Sequence, residues 1–181
     1  MKLVVKVVYI LFSIVLLLYL LLPNLQFPEP HSDFLQSEEP GDRETPLRRA
    51  YFTNLAREEV LMHYERQFTA SSFMSIPLPF YRLNYPPEEA QTIIRDQTRS
   101  TYLEEIVHPL RESVFVNGFE PSVKKDAIVI EGQDFKQKIT VRFIPSELAV
   151  RVIVGLSIIY LIYLSYVSWL AFIKRLKERG K

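Results

Sequence analysis

Residues 152–173 read VIVGLSIIYLIYLSYVSWLAFI, 22 positions without one charged side chain. At 1.5 Å per residue such a helix covers the roughly 30 Å hydrocarbon layer of a bilayer. It is apolar on every side, and the remainder of a 181-residue chain is too small to enclose it as a core helix. The stretch therefore predicts a membrane span. Lys174, Arg175, Lys177, Arg179 and Lys181 follow it directly, opposed only by Glu178. By the positive-inside rule this tail is expected in the cytoplasm. The eight residues after Ile173 are too few for an output domain, so inward signalling is not expected.

The other end of the chain repeats the pattern. Residues 7–22 are apolar apart from Ser13, and counting back past Lys6 to Leu3 gives 20 residues. A cleaved signal peptide is the competing reading, because Lys2 and Lys6 precede the run. The run closes on Leu22, Pro23 and Asn24, however, without a small-x-small cleavage site. An uncleaved span with Lys2 and Lys6 inside is expected, which places the intervening residues outside.

Between the spans the composition changes sign. Residues 23–148 carry 14 Lys and Arg against 20 Asp and Glu, a net of −6, whereas the two ends together reach +7. The overall charge of +1 and mean hydropathy of +0.05 describe neither part. An acidic middle has no basic stripe for phosphates, so a nucleic-acid partner is excluded. The absence of cysteine excludes disulfides, thiolate chemistry and Cys-ligated zinc or iron–sulfur centres. An outer domain without disulfides suits a bacterial cytoplasmic membrane better than an animal one.

Residues 23–46 hold five prolines and six acids and read as an extended stalk. Thr45 and Pro46 then open a helix expected over 47–67, with Leu47, Tyr51, Leu55, Leu61, Tyr64 and Phe68 on one stripe. Residues 75–85 alternate around a slip at Phe80 and Tyr81, and their prolines confine the strand to a sheet edge or to a bulged start. Pro86, Pro87, Glu88 and Glu89 punctuate a second helix running to Pro109, followed by a short helical piece over 110–115. Residues 127–130 form a strand, Glu131 and Gly132 a turn, and Ile139, Val141 and Phe143 the buried side of a return strand. Those strands are expected as a C-terminal β-hairpin that runs almost directly into the second span.

The expected organisation is an α+β domain of order α-β-α-α-β-β over residues 47–148. It lies between spans at 1–22 and 149–173, with a stalk at 23–46 and a basic tail at 174–181. The order strand, helix, short helix, strand, strand over residues 75–144 is similar to a POTRA-like module. That resemblance, in element order and length, implies a small extracytoplasmic interaction domain of the kind found in outer-membrane assembly and division proteins.

Chemistry is sparse in the sequence. His31, His63 and His108 form no metal-spaced pair; a site of His63 with Glu59, one helical turn away, would need further ligands. The carboxylate pairs Glu58–Glu59, Glu88–Glu89 and Glu104–Glu105 are sequence neighbours, and on a helix they would diverge by about 100°, reading as solvated faces. Ser122-Val123-Lys124-Lys125 has the spacing of a Ser-x-x-Lys but stands alone, without a nucleophile elbow, and five glycines provide no phosphate loop. No catalytic residue, metal ligand or cofactor is assigned.

Two sets of residues remain as candidates. Phe80, Tyr81, Tyr85, Arg99 and Tyr102 make a candidate interaction surface, because an edge strand accepts a partner strand. Tyr160 and Tyr163 fall near the middle of the second span, where a phenol hydroxyl seeks a partner, and are candidates for a contact between helices. The partners expected are the lipid bilayer and another envelope protein or a second copy of the chain. The expected role is an interaction or assembly module of an envelope complex. The alternatives are an accessory subunit or enzyme acting on envelope substrates, and a small-ligand-binding domain without its own output.

Overall fold

The computed structural model describes residues 2–69 and 77–179. Phe73, Met74 and the first two residues of the strand expected at 75–85 lie outside them. In chain order the elements are α1 (Lys2–Leu21), β1 (Leu35–Gln36), β2 (Arg48–Thr53), α2 (Arg57–Thr69) and β3 (Tyr81–Tyr85). There follow α3 (Ala90–Ile93), β4 (Tyr102–Val107), β5 (Ser113–Phe119), β6 (Ile128–Ile130), β7 (Gln133–Phe135), β8 (Gln137–Ile144) and α4 (Leu148–Arg179). The chain divides into two compact units, residues 23–145 and the end segments 1–22 with 146–181.

Residues 23–145 are built on a six-stranded antiparallel sheet of order β1-β2-β8-β5-β4-β3. Helix α2 covers one face with Val60, Leu61, Tyr64 and Phe68, which recur at helical spacing and pack on Tyr51, Ile106, Val114, Val116, Ile139, Val141 and Phe143. Each such side chain contributes on the order of 1.5–3 kcal/mol by leaving water. On the other face Leu103 and Phe115 pack against Ala90, Ile93 and Ile94, in and just after α3. Arg142 bonds the Ile93 carbonyl and Arg48 the Arg95 carbonyl, holding that segment to the sheet.

The alternation read over Ile139, Val141 and Phe143 belongs to β8, one of the two central strands of this sheet, with all three side chains buried. It does not form the expected hairpin. The partner of β6 is β7, across a two-residue turn in which Glu131 and Gly132 both take positive φ, +51° and +79°. Both values suit a tight turn matched to strand twist.

The helix expected over 47–67 is a strand followed by a helix. In β2 five of the six residues are buried, so both faces are covered and no alternation marks it as a strand. Helix α2 starts only at Arg57, where the Ala56 N–H donates to Glu59 Oε2 at 2.6 Å, half of a capping box. The helix expected from Pro86 to Pro109 shrinks to a 3-10 turn and the single turn of α3; β4 occupies its second half. The piece expected over 110–115 is the tight β4–β5 connection, with Leu110 at φ +61°, and the start of β5. The POTRA-like order fails with these elements.

Residues 23–46 are not an extended stalk. Leu25, Phe27 and Phe34 pack against the core, and β1 pairs with β2. Ser37 donates to Asp42 Oδ2 at 2.6 Å, and Lys138 reaches Asp42 at 2.7 Å and Glu39 at 2.9 Å. Burial pulls the Lys138 ammonium down, but its bonds to Asp42 and Glu39 outweigh this and hold it above its ordinary range.

In the end segments, α1 and α4 are both long and apolar enough to cross a membrane. They pack together as an antiparallel pair. A Cβ on Gly155 would lie 2.4 Å from Leu20 Cδ1, so a larger residue there would have to push the end of the Leu20 side chain aside. The Tyr9 hydroxyl donates to the Ile159 carbonyl at 3.1 Å, and Arg151 donates to the Leu22 carbonyl at 3.0 Å.

Candidate functional site

The richest polar constellation in residues 23–145 lies on the α2 face of the sheet, beside its β3 edge. Glu104 sits in the middle of β4, opposite Asn84 of β3 and Val116 of β5, with its side chain wholly buried. Two arginines neutralise it. Arg57, in the first turn of α2, donates its Nε to Glu104 Oε1 at 2.7 Å, with Nη2 on the same oxygen. Arg82, from β3, places its Nε on Oε2 and its Nη2 3.1 Å from Oε1.

Arg82 is also gripped from α2. Glu58 takes it in a bidentate pair at 2.8 and 2.9 Å, and Glu65 lies 3.6 Å away. The bond from Arg82 lowers the Glu58 carboxyl. Bonds to Glu58 first, then Glu104, push the Arg82 guanidinium further above its already high value. The edge strand is thereby tied to both the sheet interior and the helix.

Tyr102 completes the cluster. Its ring lies under the Arg57 guanidinium, 4.8 Å from the centroid, and its hydroxyl donates to Gln137 Oε1 at 2.7 Å. Burial raises this phenol well above its usual range. The ring occupies the space over Gly118, where a Cβ would lie 2.0 Å from it. A cleft of about 350 Å³ opens beside it, lined by Arg57, Asn84, Tyr85, Pro86, Thr101 and Tyr102. Arg57 is the cation on that wall and is already engaged by Glu104. The Thr101 hydroxyl donates to the Gly118 carbonyl at 3.0 Å. Among the described residues no carboxylate, histidine or lysine lines the cleft.

The sequence candidates fall in different places. Tyr81 is 61 % exposed and Leu83, two residues on, is 42 % exposed; both project from β3 on the face opposite Arg82. Tyr85 shares their face, but its hydroxyl donates to Glu105 Oε2 at 2.6 Å, which pushes the phenol up to about 12. Phe80 packs against the α2-side core. Tyr102 is 3 % exposed and is no part of an outer surface. Arg99 is exposed and faces Asp126 at 3.3 Å. The candidate surface thus reduces to Tyr81 with Leu83, and the sequence reading passed over Leu83. In the helix pair, Tyr163 joins Tyr9, Phe12 and Tyr166 in lining an apolar groove of about 670 Å³, while Tyr160 is 60 % exposed.

The histidines are engaged structurally. Glu59 turns to the Ala56 N–H, and His63 Nε2 instead lies 2.8 Å from both the Glu29 carbonyl and Gln67. Its ring meets that of His31 edge-on at 5.2 Å. His108 is wholly buried and stacks on Phe68; Nδ1 lies 3.1 Å from Glu112 Oε1 and Nε2 2.8 Å from the Phe68 carbonyl at the end of α2. Burial opposes ionisation of Glu112, but hydrogen bonds from His108 and Arg111 outweigh it and hold the carboxyl at about 2. Arg111 also donates to the Pro23 carbonyl at 2.8 Å. Among the described residues no three His, Asp or Glu side chains are grouped to hold a metal ion.

Neither a protein family, nor a curated protein, nor a solved structure matches this chain.

Proposed function

We propose that this is a two-pass membrane protein whose residues 23–145 form a non-enzymatic interaction module, docking a protein partner along β3. The observation that carries the reading is the edge strand itself. Among the described residues it ends the sheet, and it presents Tyr81 and Leu83 to solvent while Arg82 anchors it from the opposite face. A fixed edge strand with apolar side chains on one face is what strand addition requires. The chemistry found nearby supports the same reading, since the conspicuous charges of this region are spent on one another.

The spans are α1 and α4, and the basic residues at their outer ends favour a topology with both ends in the cytoplasm and residues 23–145 outside. A bacterial cytoplasmic membrane, and a role in assembling an envelope complex, fit a domain that holds together without disulfides. A second reading, a small-ligand domain, draws on the cleft beside Arg57.

The chain has no cysteine, so single-cysteine variants report cleanly. Asp134→Cys should react with a membrane-impermeant maleimide in intact cells, and Glu178→Cys only after permeabilisation; the reverse pattern refutes the topology. A photo-crosslinking residue at Tyr81 should give a discrete protein adduct in membranes. Loss of that adduct to a mere smear, equal to that from exposed Val129, refutes the docking strand.

A further inference from the structure

The residues of β3 are complementary to themselves. Reading Tyr81-Arg82-Leu83-Asn84-Tyr85 against a second antiparallel copy, with Leu83 opposite Leu83, sets each Tyr81 against a Tyr85 and each Arg82 against an Asn84. The tyrosines and leucines then lie on one face as aromatic and aliphatic cross-strand pairs, and no like charges are directly opposed. We infer that the docking partner of β3 is a second copy of this chain, joined antiparallel about a two-fold axis at Leu83 into a continuous twelve-stranded sheet. This rests on the docking-strand reading above and names its partner.

Register selects this arrangement. For both α2 helices to stay on the same side of the joint sheet, the copies can slip only by steps that keep side chains on their own faces. One step in one direction sets Arg82 against Arg82, with the Glu58 and Glu65 carboxylates that grip each also brought together. One step in the other sets Arg82 against Pro86, which has no N–H for a ladder bond. Only the Leu83-centred register pairs all five residues. The prolines at 79 and 86 bracket the strand and limit the seam to that length.

The opposite sheet edge gives no equivalent seam, since β1 is two residues long. A five-residue seam is small for a stable dimer in dilute solution. Two anchored copies in one membrane meet at a far higher effective concentration, so the pairing belongs to the full chain in the bilayer.

The test is disulfide formation between full-length chains in membranes under mild oxidation. Directly opposed residues in an antiparallel pair have Cα atoms about 4.5–5.5 Å apart, within disulfide reach. Leu83→Cys should link more than half of the chain as a homodimer. Tyr81→Cys alone should link less than a tenth as much, because Tyr81 and its symmetry mate are offset by four residues, roughly 13 Å. Tyr81→Cys co-expressed with Tyr85→Cys, which leaves Leu83 intact, should restore the link as a mixed dimer. Val129→Cys, 55 % exposed on β6, is the collision control and should stay monomeric.

Equal dimer from all positions, or none from either Leu83→Cys or the mixed pair, overturns the self-pairing. If Leu83→Cys instead links to a different protein, the second copy is ruled out while the docking strand stands. If it links to nothing and Tyr81 gives no adduct, both fall.

Discussion

Replacing Glu104 by Gln tests the central claim that β3 is held rigidly from beneath. The substitution keeps the shape and removes the charge that Arg57 and Arg82 share. It also turns a side-chain amide N–H₂ toward at least one guanidinium, where donor meets donor. Removing one partner of a buried ion pair costs about 3–5 kcal/mol when the remaining charge is left dry. Here the two arginine side chains are 35 % and 32 % exposed, and Arg82 keeps Glu58 and Glu65, so water and those carboxylates recover part of the loss. The expected cost is roughly 2–3 kcal/mol. For a domain of this size each kcal/mol lowers the melting temperature by about 3–5 °C, giving a fall of roughly 6–15 °C. The assay is thermal unfolding of the purified full chain in detergent, followed by near-ultraviolet circular dichroism. Hydrogen exchange should show β3 losing protection first, because two of its anchoring bonds end on Glu104. Glu58→Gln, on the exposed side of the same network, should shift the melt by less than about 2 °C. A Glu104→Gln melt within that same margin would refute the reasoning.

Three further outcomes follow from the structure. The Glu112 carboxyl is held at about 2 against an ordinary 4.5, so its contribution is complete above pH 4.5 and is lost as the pH falls toward 2. Urea midpoints measured across that window should fall steeply for the native chain and more shallowly for Glu112→Gln, which starts lower at neutral pH. Gly118→Ala forces the Tyr102 ring off Gln137 and from under Arg57; it should cost about 1–3 kcal/mol, whereas Gly41→Ala, with open space around it, should be neutral in the same melts. Gly132→Val places a β-branched residue at φ +79°, so hydrogen exchange in β6 and β7 should rise sharply while the main sheet keeps its protection.

The misread elements share a physical cause. The stretch Tyr102 to Val107 resembles part of an amphipathic helix because Glu104 and Glu105 look like a wetted face. Both are buried, on opposite faces of the sheet, each satisfied by a residue distant in sequence: Arg57 and Arg82 for one, the Tyr85 hydroxyl for the other. Local pattern cannot reveal a charge neutralised from another element. The acids of residues 23–46 misled in the same way, since Asp42 is 4 % exposed against Ser37 and Lys138. What was legible had no such compensation: the uncharged runs at 7–22 and 152–173, the Ile139–Val141–Phe143 alternation, and the proline-bracketed edge strand. The exposure of Tyr81 was legible in part, because the prolines at 79 and 86 are disfavoured between two bonded neighbours in a sheet. Tyr102 was not, because its burial depends on Gly118, directly opposite it in β5, whose missing side chain leaves the gap that the ring fills.

The placement of β8 has a mechanical consequence. This strand is bonded along both sides, to β2 and to β5, and only three residues separate its last residue, Ile144, from the first residue of α4. Any tension along α4 therefore enters the domain through a strand bonded on both sides, with two rows of hydrogen bonds sharing the load. A pull on Pro23 meets a different path, through the Arg111 hook and the packed segment before β1. Under force the two attachments should yield in sequence, the N-terminal one first, leaving the sheet whole and still tethered by its centre.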